Sequence, residues 1–141
     1  MKAENRKPKT GLLLIAHGSR QEEANADLLY VAAGLRAQGW AIVEASFLEL
    51  AEPGITEGGA RCVEQGAEQV ILVPYFLSAG VHVLRDLAEA RAKLAEHFPA
   101  VDFRLAEPLG QHALLLEVVA ERVREAVTTN HTNKKMSEPE A

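Results

Sequence analysis

Four short apolar runs alternate along the chain with four longer segments of helical period. The runs are 11–16 (GLLLIA), 41–48 (AIVEASFL), 69–76 (QVILVPYF) and 101–106 (VDFRLA). The first and third are almost wholly apolar, which predicts central strands covered on both faces. The second and fourth carry polar residues, as sheet edges do. Pro74 interrupts the third run and weakens its continuity as a strand.

The segments between the runs read as helices over 20–38, 53–65, 81–98 and 108–127. Ser19 followed by Glu22 has the spacing of a capping box, and Gly39 is a stop signal. Pro53 is expected at the first position of the second helix, which stops at Gly66. Pro99 follows the third. The fourth sets Leu115, Val118, Val119 and Arg122 on a helical spacing. Leu-Ala-Glu-Pro occurs at 50–53 and again at 105–108, and both copies are read as the same junction, a proline opening a helix.

Strand and helix alternating four times predict an α/β fold with a parallel sheet and right-handed crossovers. The simplest arrangement is a three-layer sandwich on a four-stranded sheet of order 2-1-3-4, flavodoxin-like. Residues 1–10 are polar and read as a flexible arm, 11–127 as one domain and 128–141 as a disordered tail.

Composition narrows the function classes. The chain has 141 residues, 48% hydrophobic and 25% charged, with a net charge of -5. That charge argues against a nucleic-acid surface. No apolar run approaches the roughly 20 residues that span a bilayer. The first run is also too short for a leader core, so the expected compartment is the cytoplasm. Cys62 is the single cysteine, which excludes a disulfide framework and a thiolate metal cluster.

In a doubly wound sheet, ligands bind outside the carboxyl ends of the strands. His17, Gly18, Ser19 and Arg20 follow the first run, and Glu49 and Glu52 the second. Ser78, Gly80, His82 and Arg85 follow the third; Glu107 and His112 follow the fourth. In the order 2-1-3 the first three loops are neighbours, and strands lie about 4.8 Å apart. Two imidazoles and a carboxylate converging there would suit a borderline divalent metal such as Co²⁺, Ni²⁺ or Fe²⁺.

Each residue also has a plainer reading. His17 could bond to backbone, and Gly18 could serve a tight turn. Ser19 is a better helix cap than nucleophile. Glu49 could be a rim carboxylate, and Glu52 beside Pro53 is structural. Arg20 at a helix start gains nothing from the helix dipole, which favours an anionic partner. The same position favours a neutral His82, the form that binds metal. His97 is read as structural, His112 as a peripheral contact, His131 as inert and Cys62 as core.

The segments LLLIAHGSR at 12–20, ASFLELAEP at 45–53, VPYFLSAGVHVLRDL at 73–87 and AEPLGQH at 106–112 resemble the small single-domain sirohydrochlorin chelatases. These are class II tetrapyrrole metal chelatases of cobalamin and sirohaem synthesis. The resemblance runs from about residue 11 to 127. It implies the same doubly wound fold and a homodimer, since short forms are homodimers whose facing domains enclose the substrate. It implies His17 and His82 as the metal histidines and Glu49 as their acidic catalytic partner. The expected reaction is ATP-independent insertion of a divalent metal into sirohydrochlorin, with Co²⁺ favoured and no permanently bound cofactor. One of those three side chains would accept a pyrrole proton. The substrate is a polycarboxylate, so Arg20 and Arg85, with Ser19 and Ser78, are the expected substrate contacts. The alternatives are a metal carrier or sensor using the same histidines, and phosphoryl chemistry at His17 and Arg20. The latter lacks a Walker-type loop.

Overall fold

The structure, a computed structural model, describes residues 6–129. The chain divides into two compact units, one ending at Gly110 and one beginning at Gln111. The first holds β1 (Thr10–Ala16), α1 (Glu22–Ala37), β2 (Ile42–Phe47), α2 (Ile55–Glu64), β3 (Gln69–Pro74), α3 (Val81–His97) and β4 (Asp102–Leu105). The second holds α4 (Ala113–Thr128).

The four strands form one parallel sheet in the order β2-β1-β3-β4, as the alternation predicts. The two-residue period of β1 supplies both cores. Leu13 and Ile15 join Cys62, Val70, Leu72, Leu87, Leu94 and Phe103 in one cluster. Leu12 and Leu14 join Leu28, Ala32, Val43 and Phe47 in the other. Thus α1 covers one face of β1 and β2, while α2 and α3 cover the opposite face. In β3 the burial alternates: Val70, Leu72 and Pro74 are buried and Ile71 and Val73 half-buried.

Close approach of α2 to its neighbours requires small residues. A Cβ on Gly58 would come within 2.7 Å of Leu13 Cδ1, and one on Gly59 within 2.7 Å of Leu94 Cδ2. Ser46 is buried in β2, where its hydroxyl donates to the Leu14 carbonyl at 2.9 Å.

The junctions differ from the sequence reading. Ser19 and Glu22 form no capping box. Gln21 is the N-cap of α1 and gives no side-chain bond. Ser19 Oγ instead accepts from the Gln21 amide at 3.0 Å, and Asn25 brackets Ser19 through both its backbone groups. Neither proline of the two Leu-Ala-Glu-Pro copies opens a helix. Pro53 follows a cis peptide bond, and α2 starts after Gly54. The fourth helix starts only at Ala113, capped by His112, whose Nδ1 accepts from the Leu114 amide at 3.0 Å. At Ser19 and His112 local side-chain bonds to backbone set the later helix start, while the Pro53 carbonyl accepts from the Phe47 amide of β2 at 2.9 Å.

Of the expected flexible arm, Arg6 and Lys9 are held to Glu68. Thr128 and Thr129 aside, the expected tail, with His131, lies outside the described residues. Among the described residues no helix is long and apolar enough to cross a membrane.

Candidate metal and substrate site

The carboxyl ends of β1 and β2 continue past the sheet as a pair of joined loops. The Leu48 amide donates to the Ala16 carbonyl at 2.9 Å and the Glu49 amide to the His17 carbonyl at 3.1 Å. Gly18 makes this possible. It has φ +98°, and a Cβ there would fall on the carbonyl oxygen of Glu49. His17 and Glu49 are therefore fixed beside each other by main chain, not only by side-chain preference.

The loop after β3 is tied on both sides. The Tyr75 amide donates to the Ile15 carbonyl at 2.7 Å. Phe76 and Leu77 accept from the Leu109 and Gly110 amides at 2.9 and 2.8 Å. Phe76 meets the His17 ring edge-to-face with centroids 5.3 Å apart. This contact orients an imidazole that is otherwise exposed.

A cavity of about 350 Å³ opens next to His17. It is lined by His17 and Glu49 with Thr56 of α2 and Val83, Asp86 and Lys93 of α3 among others. His82 does not line it. That residue lies exposed at the second position of α3, beside Val83, behind the N-cap Gly80. Larger hollows lie along α1 and β2 and at the amino ends of the strands, away from both histidines.

The sequence-predicted residues thus share one edge of the sheet. His17 and Glu49 share a cavity, and His82, Arg85, Ser78, Ser19 and Arg20 sit on the flanking loops and helix starts. They do not form a closed metal cage: among the described residues no group of three or more His, Cys, Asp or Glu stands ready to hold an ion. Ser19 is engaged in its turn with Gln21 and Asn25. Sequence reasoning missed Phe76, Thr56, Asp86 and Lys93. The α3 stripe Val83, Asp86, Ala90, Lys93 was legible as a helical face, but nothing in its period says which partner it faces.

Cys62 takes no part. It is fully buried under β1, and desolvation, aided by Glu44, pushes its thiol up to about 12.

The CbiX family model matches residues 11–126. The chain is 37% identical over 119 residues to a chloroplastic sirohydrochlorin ferrochelatase of Arabidopsis thaliana, covering 84% of this chain and 53% of that one. It is 32% identical to a sirohydrochlorin cobaltochelatase of Sulfurisphaera tokodaii, covering 85% and 96%. Among solved structures, the sirohydrochlorin chelatase SirB of Bacillus subtilis subspecies spizizenii, in complex with cobalt, superimposes with a TM-score of 0.77 at 31% identity. That match covers 83% of this chain and 50% of SirB, so the chain spans about half the length of the first and third of these proteins.

Proposed function

The chain belongs to the CbiX family of class II chelatases, and we propose that it inserts a divalent metal ion into sirohydrochlorin without ATP, Co²⁺ ahead of Ni²⁺ or Fe²⁺. The observation that carries this reading is the exposed His17 imidazole, oriented by Phe76 and locked by main chain beside Glu49, with His82 at the start of α3 on the same edge of the sheet. Relatives named for cobalt and for iron support the substrate and both metals.

In this reading His17 and His82 take the ion from water as neutral ligands and present it to the ring face. Metal insertion replaces two pyrrole N–H protons, with no change of oxidation state. Glu49, next to His17, is the base that accepts the first proton, and the second passes to solvent water. Arg20 and Arg85 are exposed and make no ion pair among the described residues, which suits them to the substrate carboxylates. Ser78 adds a hydroxyl on the loop that leads into α3 and His82. A homodimer, the second copy closing over the ring, is the proposed assembly; a relative twice the length supports it.

The test is absorbance. Adding protein to sirohydrochlorin and Co²⁺ should shift the tetrapyrrole spectrum faster than the uncatalysed mixture. Stoichiometric metal binding with no acceleration would establish a carrier instead.

A further inference from the structure

A chelatase must hold a flat ring whose faces are apolar and whose rim carries carboxylates. Such a ligand calls for an apolar floor with cations around it. The carboxyl edge of the sheet has both. Leu50, Leu77 and Val81 are 52%, 67% and 69% exposed. Each is the direct chain neighbour of a residue that builds the site: Leu50 of Glu49, Leu77 of Phe76 and Val81 of His82.

Their backbones are held. Leu50 sits at φ +66°, a conformation uncommon for a leucine, in the loop joined to His17. The Leu77 carbonyl is pinned by the Gly110 amide at 2.8 Å. Val81 opens α3. Arg20 and Arg85 supply unpaired positive charge on the loops and helix flanking these three.

We propose that Leu50, Leu77 and Val81 form the apolar seat on which the tetrapyrrole ring lies, with Arg20 and Arg85 meeting its carboxylates. This rests on the reading of the chain as a sirohydrochlorin chelatase and adds what recognises the ring itself. Metal affinity belongs to His17 and His82; ring affinity belongs to the seat.

The experiment measures sirohydrochlorin binding without metal, by fluorescence titration of the full chain. The variants are Leu50→Asn, Leu77→Asn and Val81→Thr, singly and together. Asparagine tolerates the backbone at position 50, and threonine keeps the shape of valine, so the single variants guard against a triple that does not fold. Wild type should bind the ring, each leucine variant should weaken it roughly 10-fold, and Co²⁺ binding should stay unchanged. Ring binding equal to wild type in all variants would overturn the seat and leave the chelatase reading intact. No ring binding by wild type would overturn the chelatase reading, and the seat with it. Sedimentation is the second readout: variants that pass from dimer to monomer as they lose the ring would show that these side chains seal a second copy, which also overturns the seat.

Discussion

The two ends of the sheet are built from the same residue types and treat them in opposite ways. At the amino ends, polar groups answer one another within the chain. Arg6 meets Glu68 at 3.0 Å, the Lys9 amide donates to the same carboxylate at 3.0 Å, and Thr10 donates to Gln69 at 3.0 Å. At the carboxyl ends, His17, Glu49, His82, Arg20 and Arg85 stand exposed with no ion-pair partner among the described residues, beside exposed leucines. Both ends face water, so solvation does not separate them. The difference is whether the chain completes its own interactions or leaves them for a ligand. Satisfied charge at one end serves the fold, and the charge left unsatisfied at the other is where the proposed reaction would take place.

That contrast breaks most sharply at His17. His17→Ala should lower chelation on the order of 100-fold or more while leaving the melting temperature nearly unchanged, because the ring is exposed. Arg6→Ala should spare chelation and shift the melting temperature only slightly, because its ion pair is exposed. Steady-state absorbance kinetics and thermal melts on the two variants check the pair, and wild-type turnover by His17→Ala would end the proposed role. Gly18→Ala comes next in size. It places a methyl on the Glu49 carbonyl oxygen at φ +98°, so it should lose roughly 1–3 kcal/mol of stability in denaturant melts. It should also slow chelation, since the loops of His17 and Glu49 must separate.

How far the sequence could reveal this contrast depends on range. The sheet order and the histidines' shared edge were legible, because a period of two with alternating helices leaves few topologies. The placement of His17, Glu49 and His82 beyond the carboxyl ends of their strands was legible too, since position after a strand is a local property. It failed where one turn competes with another. Ser19 has the spacing of a capping box with Glu22, yet Asn25 engages both of its backbone groups and the helix starts later. Pro53 fits a first helical position in sequence but occupies a turn. Nor could spacing reveal that His17 shares its cavity with Glu49 and α3 and not with His82, because that depends on how Phe76 and the α3 stripe pack.

Cys62, buried between the ends, sharpens the comparison from within. Burial pushes its thiol up to about 12, against an ordinary value near 9.0. Folding therefore favours the neutral thiol. Its contribution is complete below the unfolded value and is lost as pH rises toward the folded one, because only the unfolded chain then ionises. Denaturant melts should show stability declining above about pH 9, and Cys62→Ala should flatten that decline. Iodoacetamide at pH 8 should label the native chain far more slowly than the unfolded one; equal rates would mean the thiol is accessible.

The smallest effect belongs to Glu68. Its hydrogen bond from Arg6, aided by the Lys9 amide, holds the carboxyl below its usual range. The sign is opposite to that of Cys62: the contribution is present above the unfolded value and lost as pH falls through the folded one. The pair is solvent-exposed, so screening leaves little of it. Glu68→Gln should therefore shift the melting temperature by an amount close to experimental resolution at neutral pH, and not at all in strong acid. Salt should erase the neutral-pH difference. A large, salt-insensitive loss would mean that the amino end does more than hold the arm in place, and the division between the two ends would no longer stand.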